Sequence, residues 1–289
     1  MNLILGGGLA GLLLASKLED SILVEAQNKI GGILAYEEIE GYDIPLYPPL
    51  LKSECNLFQG LEHRQVSLSV SSRKEDYLTE KLGVSGLPDW LTFKGSKVYF
   101  IQNMKQVLEQ LYKKAKVRLS TTFNFKGDKT FILNNGQVIR ASEVYVTVPP
   151  YLLGLKKGRS IGFVEAILTT NKTKRDSNVI IDGDKGVLYS HVIIADWLSD
   201  FFDVYYILVP FIAQIPSWDR IYGDLKRRGV LKKEEIRSFR YRVIRDAVLE
   251  DSNKEDFSDS SLEKLHFCGR LGKWKNLNIC ETIDDVLHC

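Results

Sequence analysis

The sequence predicts an α/β protein in which a domain with a central parallel sheet is joined to a smaller domain with a mixed sheet. Three observations predict this class. The chain opens with a strand-like run, a glycine-rich turn and a helix-like run, and it closes with the same order of elements. Between the two ends, helix-like and strand-like segments alternate, as they do in βαβ units, whose strands lie parallel.

The opening segment has the spacing of a nucleotide-binding turn. Residues 2–5 are apolar and predict a strand, three glycines with GxGxxG spacing follow (Gly6, Gly8 and Gly11), and residues 12–18 have helical apolar spacing. In such a turn the first glycine permits a sharp bend and the second lets the backbone approach a pyrophosphate. The third lets the helix pack closely on the strand.

The phosphates of a bound nucleotide would then face the helix N-terminus, where Leu9 and Ala10 lie. A second predicted strand, residues 21–24, is followed by Glu25 and Ala26. The interval from the first glycine to this acid is close to the ~20 residues expected for the carboxylate that binds the ribose hydroxyls. Strand, turn, helix, strand and acid together predict a Rossmann-like site for the ADP half of a dinucleotide.

The residues that follow favour FAD over NAD, although the ADP-binding unit alone fits either cofactor. Residues 27–32, which end in Gly31 and Gly32, resemble the double-glycine segment of the FAD enzymes of the amine oxidase, protoporphyrinogen oxidase and UDP-galactopyranose mutase group. The resemblance implies that this backbone runs beside the flavin phosphates and the ribityl chain. It also implies the two-domain fold of those enzymes.

The carboxy-terminal segment carries a second part of the resemblance. Residues 265–268 predict a buried strand, Gly269 and Arg270 follow it, and a helix is predicted from Asn278 onward. Residues 267–278 resemble the closing motif of the mutases. The resemblance implies that Arg270 neutralises the pyrophosphate and that the last helix directs its N-terminus at the flavin N1 and C2 carbonyl. We therefore expect cofactor contacts from Gly269, Arg270, Leu277, Asn278 and Ile279.

The middle of the chain follows the order of elements in the same group. Residues 98–101 predict a strand, residues 104–115 a helix and residues 117–123 a strand, which the resemblance places beside the adenine, near Phe123. Residues 144–149 resemble the strand that leaves the cofactor domain. The predicted FAD-binding domain therefore comprises residues 1–35, 97–150 and 262–289, and the predicted substrate domain comprises residues 36–96 and 151–261.

Three functions fit a flavin protein of this group. The first is an oxidoreductase that takes hydride from a small organic substrate, and the second is a mutase-like enzyme that acts on sugar nucleotides with reduced flavin. The third is a non-catalytic partner-binding protein resembling the Rab GDP-dissociation inhibitors. The mutases place a histidine after the double glycine, whereas residues 33–50 contain none, and Trp274 and Asn276 stand where the mutases usually have tyrosines.

The oxidoreductase is our first prediction, although no catalytic acid, base or nucleophile stands out because the flavin carries the chemistry. Aromatic side chains and a cation suit a planar or anionic substrate. The residues we expect at the accessible face of the flavin are Tyr42, Tyr47, Tyr206, Arg240 and Trp274.

Composition excludes several other classes. The 39 basic and 37 acidic residues nearly balance, so nucleic acid is not an expected partner. The longest apolar runs are too short for an integral membrane segment, and the four histidines lack metal-ligand spacing. The four cysteines are scattered without CxxC pairing, which predicts neither a disulfide framework nor a zinc site and favours a cytoplasmic location. The sequence does not indicate an oligomeric state.

Overall fold

The computed structural model describes residues 1–56, 60–93, 97–231, 235–250 and 264–289. Its strands, in chain order, are β1 (Asn2–Leu5), β2 (Ser21–Val24), β3 (Tyr36–Ile39), β4 (Tyr42–Pro45), β5 (Leu50–Leu51), β6 (His63–Ser67), β7 (Val70–Arg73), β8 (Lys97–Ile101), β9 (Val117–Arg118), β10 (Phe123–Phe125), β11 (Thr130–Leu133), β12 (Val138–Arg140), β13 (Val144–Val146), β14 (Ser160–Asn171), β15 (Val179–Asp182), β16 (His191–Ala195), β17 (Phe202–Phe211), β18 (Ile236–Leu249) and β19 (His266–Phe267). Its α-helices are α1 (Leu9–Lys17), α2 (Leu78–Leu82), α3 (Met104–Lys114), α4 (Trp218–Arg227), α5 (Gly269–Gly272) and α6 (Ile279–Leu287). Short 3₁₀ turns cover Gly32–Leu34, Glu75–Tyr77, Asp89–Leu91 and Pro150–Leu153.

A five-stranded parallel sheet, in the order β19-β13-β1-β2-β9, joins the two ends of the chain. Its central strand β1 is buried on both faces. Ile4 packs among the residues of α1, α3 and α6, whereas Leu3 and Leu5 pack against the three-stranded sheet β10-β11-β12 on the other face. Burial on both faces explains why residues 3–5 of β1 are all apolar.

A six-stranded sheet forms the second half of the fold, in the order β18-β14-β17-β16-β15-β7. Its neighbouring strands are antiparallel except for β15 and β7, so the sheet is mixed. Helix α4 covers one face through Ile221 and Leu225, and the β3–β4 hairpin packs against the other face through Ile39 and Ile44. The predicted α/β class, with a parallel and a mixed sheet, is confirmed.

Most local predictions are confirmed, with one correction. The predicted strand over residues 98–101 and the helix over 104–115 correspond to β8 and α3. The single strand predicted over residues 117–123 is wrong: β9 ends at Arg118, the backbone turns at Ser120 with φ of 50°, and the next strand pairs in a different sheet. The predicted division into two domains stays a prediction, and its boundary at residues 261–262 lies outside the described residues.

The cysteines contradict the expectation of unpaired thiols. Two disulfides, Cys55–Cys280 and Cys268–Cys289, take up all four side chains, with Cα–Cα distances of 5.5 and 6.0 Å. The partners are 225 and 21 residues apart, so only the fold brings them together. Among the described residues, no helix is long and apolar enough to cross a membrane.

Candidate cofactor site

The three glycines of the first turn are required for different physical reasons. Gly6 has φ of 105°, a conformation that favours glycine. A Cβ on Gly11 would lie 1.9 Å from the Gly6 carbonyl oxygen, so this glycine permits the contact between α1 and the turn. Gly8 has φ of −74°, and a Cβ there would meet no atom within 4 Å in the part of the chain that the structure describes. The packing of the chain therefore does not require glycine at position 8, where a Cβ would extend into open space beside α1.

A cleft of about 300 Å³ opens at this turn, at the carboxyl ends of the strands of the parallel sheet. Both ends of the chain and the segment between β4 and β5 line it. Eleven of the fifteen residues predicted to bind the cofactor lie along it: Gly6, Gly8, Leu9, Ala10, Glu25, Gly31, Gly32, Arg270, Leu277, Asn278 and Ile279. The other four, Gly11, Ala26, Phe123 and Gly269, do not line this cleft.

Glu25 is fixed at the end of β2 by backbone donors. Its carboxylate accepts hydrogen bonds from Gly7 N at 2.6 Å and from Gln27 N at 2.8 Å. A carboxylate has about four lone-pair positions, so two hydrogen bonds leave capacity for two further donors. The two hydroxyls of a ribose supply that number of donors.

The double glycine lies against the first turn. The Gly31 amide donates to the Gly7 carbonyl at 2.8 Å, and Gly31 also forms an isolated parallel bridge with Gly8. Gly31 and Gly32 have φ of 101° and 58°, a conformation that side chains disfavour. The double-glycine signal in the sequence therefore corresponds to two left-handed residues that bring the second segment beside the turn.

The closing motif is held against the opening motif by close backbone contacts. Gly269 has φ of 71°, and a Cβ there would lie 2.6 Å from Ala10 Cβ in α1. A Cβ on Gly272 would lie 2.1 Å from the Val146 carbonyl oxygen of β13. Both glycines are therefore required by packing, and they place the residues between and after them at the cleft.

Arg270 is a partly exposed cation at the cleft whose hydrogen-bond partners in the chain are neutral. Its guanidinium donates to the carbonyl oxygens of Asp246 at 2.9 Å and Ala247 at 3.1 Å. The Asp246 carboxylate accepts from Tyr151 and Ser160 instead, each at 2.7 Å. Desolvation lowers the pKa of Arg270 to about 10, against the opposing charge of Asp246. An anion in the cleft would restore charge balance.

Helix α6 begins at the cleft with a complete capping box. The Asn278 side chain accepts from Glu281 N at 2.9 Å, and the Glu281 side chain accepts from Asn278 N at 2.8 Å. This reciprocal pair fixes the direction of the helix N-terminus. Leu277, Asn278, Ile279 and Thr282 line the cleft, so the positive end of the helix dipole lies beside it.

The far end of the cleft is aromatic and apolar. Tyr47 and Trp90 form an edge-to-face pair with ring centroids 6.1 Å apart, and Pro48 and Leu50 complete the lining. Of the five predicted substrate contacts, Tyr47 lines this cleft. The sequence does not indicate Pro48, Leu50 and Trp90 as site residues, because no motif marks them and their approach to the cleft depends on the tertiary fold.

Side chains of the six-stranded sheet hold the aromatic end of the cleft in place. Arg242 forms an ion pair with the fully buried Glu165 and donates to the Leu46 carbonyl at 2.9 Å, next to Tyr47. Burial raises the pKa of Glu165 to about 7, and the charge of Arg242 opposes that rise. The Tyr206 hydroxyl donates to the Pro45 carbonyl at 2.8 Å. These contacts fix the segment that carries Tyr47.

The fold resembles that of three solved enzyme structures. A reduced UDP-galactopyranose mutase superposes with a TM-score of 0.73 and 11% identity over 99% of this chain and 92% of that one. A putative protoporphyrinogen oxidase from Exiguobacterium sp. 255-15 gives 0.64 and 10% over 99% and 96%. Putrescine oxidase bound to putrescine gives 0.67 and 12% over 99% and 97%.

The chain shares the fold of these three enzymes. The resemblance predicted from the two glycine motifs is confirmed at this level. At 10–12% identity the superpositions show the fold alone. The sequence itself matches no family profile and no curated protein.

Within this fold, the other four predicted substrate contacts lie outside the cleft lining. Tyr206 is buried under the β3–β4 hairpin, and Tyr42 packs edge-on against Phe202 at 5.1 Å. Arg240 is half-exposed and lies 3.7 Å from Glu37. Trp274 is 2% exposed and packs against Tyr151. Phe123, the predicted adenine neighbour, packs edge-on against Phe131.

Proposed function

We propose that the chain is a FAD-dependent oxidoreductase that removes hydride from a small organic substrate. The observation that supports the bound cofactor most strongly is Gly8. A Cβ there would extend into open space along the cleft, although the backbone conformation suits any residue. A glycine at this place has a purpose if a pyrophosphate approaches the backbone there. The parallel sheet and its first turn would then form a Rossmann-like cofactor domain.

The residues that line the cleft match separate parts of FAD. Glu25 would bind the ribose hydroxyls, and the N-terminus of α1 with Arg270 would hold the pyrophosphate. Gly31 and Gly32 would lie beside the ribityl chain, and the first turn of α6 would stabilise negative charge on the flavin. When bound, the flavin supplies the hydride acceptor, and the chain supplies orientation and the electrostatic field.

The aromatic end of the cleft would orient the substrate and exclude water from it. Tyr47 and Trp90 present two ring surfaces at right angles, which suits a planar or apolar substrate. Burial, together with the charge of Glu165, raises the pKa of Tyr47, so its hydroxyl stays protonated at neutral pH and acts as a neutral donor.

A mutase-like reaction on a sugar nucleotide is the second candidate, favoured by the superposition with a mutase and by the closing motif. A nucleotide diphosphate carries two negative charges and requires cations of its own. Arg270 is the only cation among the described residues that line the cleft, and in our proposal it serves the cofactor. Hydride transfer therefore remains our first candidate. The cytoplasmic location stays a prediction.

Anaerobic spectroscopy distinguishes the two reactions. The protein is loaded with FAD and mixed without oxygen with amines, tetrapyrroles or UDP-sugars in turn. An oxidoreductase substrate bleaches the flavin band near ~450 nm because two electrons enter the ring. A mutase converts a UDP-sugar, detected by chromatography after chemical reduction of the flavin, without net bleaching. Bound FAD that none of these compounds reduces, with conversion of a UDP-sugar, would refute the oxidoreductase.

A further inference from the structure

We propose that Cys55–Cys280 is a redox-active dithiol–disulfide pair that exchanges electrons with a small thiol substrate, whereas Cys268–Cys289 is a structural bond. The two disulfides differ in helix position and in their surroundings, although both involve the segment around α6 and each joins a buried cysteine to a partly exposed one. The thiol chemistry itself is independent of the proposed function. Only the reoxidation of the pair by a flavin rests on it.

The helix position of the two pairs favours opposite thiolate stabilities. Asn278 is the N-cap of α6, so Cys280 is the second residue of its first turn, where the positive end of the helix dipole stabilises an anion. Cys289 follows the C-cap residue His288 at the other end of the same helix, where the dipole destabilises an anion. Of these two cysteines, Cys280 has the better-stabilised thiolate.

Access to the two sulfurs of the reactive pair is unequal. Cys280 is partly exposed and lines a cavity of about 90 Å³, whereas Cys55 is 1% exposed. A thiol that enters this cavity therefore reaches Cys280 first. This pairing of an accessible sulfur at a helix N-terminus with a buried partner is typical of catalytic disulfides.

The surroundings of the cavity suit thiol chemistry. Lys52 lies on the cavity wall and supplies a cation that attracts a thiolate, although Asp89 at 3.2 Å shares its charge. The His63 imidazole lies beside the buried cysteine, because its Nε2 accepts a hydrogen bond from Cys55 N at 3.2 Å.

The cavity also adjoins the cofactor cleft. Tyr47, Leu50, Trp90 and Asn278 line both spaces, so the disulfide and the proposed flavin site share a wall. A redox pair beside a two-electron cofactor has a partner for its electrons. A structural disulfide would not require this proximity.

The proposed reaction consists of two thiol–disulfide exchange steps. A substrate thiolate attacks Cys280 Sγ, which forms a mixed disulfide and releases Cys55 as a thiolate that takes up a proton. A second substrate thiolate then attacks the substrate sulfur, which releases Cys280 and yields an oxidised substrate disulfide. Two electrons now reside in the Cys55–Cys280 dithiol. Its reoxidation requires a two-electron acceptor, and the proposed flavin is one when bound.

The first test uses the full chain without cofactor. The protein is equilibrated in glutathione buffers of graded redox poise, alkylated and analysed by peptide mass spectrometry. We expect Cys55–Cys280 to be reduced at a glutathione ratio at least about tenfold milder than Cys268–Cys289 requires. We also expect Cys55→Ser to trap glutathione on Cys280, while Cys268→Ser, the matched control, traps none on Cys289. Reversed order of reduction, or capture at Cys289 instead of Cys280, would overturn the proposal.

The second test measures coupling to the cofactor. Dithiothreitol is added without oxygen to the FAD-loaded protein, and we expect the flavin to bleach in the wild type and in Cys289→Ser but not in Cys280→Ser. Bound flavin that bleaches equally in all three proteins would refute the coupling. A protein that shows the expected thiol behaviour but takes up no FAD would refute the proposed function and leave the thiol pair standing.

Discussion

Gly8→Val and Gly11→Ala separate ligand binding from folding within one turn. A Cβ on Gly11 would lie 1.9 Å from the Gly6 oxygen, whereas an ordinary carbon–oxygen contact is ~3.3 Å, so α1 must move by about 1.4 Å. Overpacking of this kind costs about 3 kcal/mol, which lowers Tm by about 5 °C in a chain of 289 residues. A Cβ at position 8 would meet no atom of the described residues within 4 Å, so valine there should cost only ~1 kcal/mol as an N-cap residue.

We therefore expect Gly8→Val to lose FAD affinity and Gly11→Ala to lose thermal stability. We expect Gly8→Val to keep a Tm near that of the wild type but to weaken FAD binding at least about tenfold, or ~1.4 kcal/mol. Gly86→Val is the matched control, because a Cβ there also meets no atom within 4 Å and Gly86 does not line the cleft. Circular dichroism melts and fluorescence titration with FAD measure the two quantities. Wild-type FAD affinity in Gly8→Val, or a wild-type Tm in Gly11→Ala, would refute the reasoning.

Three further predictions concern stability and the aromatic end of the cleft. Arg242→Met should cost about 3–5 kcal/mol because it leaves Glu165 buried without its counter-ion. Burial raises the pKa of Glu165 to about 7 in the folded state, above its value in the unfolded chain. The contribution of the Glu165 carboxyl group to the free energy of unfolding is therefore fully present below pH ~4.3, and it is lost as the pH rises through about 7. Urea unfolding should therefore show a larger deficit for Arg242→Met at pH 8 than at pH 5, and an equal deficit at both would contradict this. Asn278→Ala should lower the free energy of unfolding by about 1 kcal/mol and weaken FAD binding, and an unchanged urea midpoint would argue against a working cap. Tyr47→Ala should lower kcat/KM at least about tenfold on whichever compound reduces the flavin, and unchanged turnover would remove Tyr47 from the substrate site.

Local chemistry explains why the two glycine motifs could be predicted from sequence. Gly6, Gly31 and Gly269 adopt positive φ, and Gly11 is required by a close backbone contact, so the sequence pattern and the structure report the same constraints. Glu25 also follows from the order of short elements, because a strand that ends beside the turn leaves its next residue at the cleft. These constraints operate over a few residues.

The site residues and disulfides that local sequence patterns do not predict depend on long-range contacts. Tyr206 was predicted to line the substrate site, whereas strand alternation and the β3–β4 hairpin place it in a buried layer, with its hydroxyl on Pro45. Trp90 reaches the cleft because a 3₁₀ turn lies against Tyr47, 43 residues away in the chain. The disulfides join residues up to 225 positions apart. Residue spacing carries no information about such pairs.

FAD binding is tested most directly by the absorption spectrum of the purified protein, before and after heat release of any cofactor. We expect flavin bands near ~375 and ~450 nm that bleach with dithionite, and a released compound that chromatographs as FAD at one equivalent per chain. A colourless protein that gains no such bands on titration with FAD would contradict it.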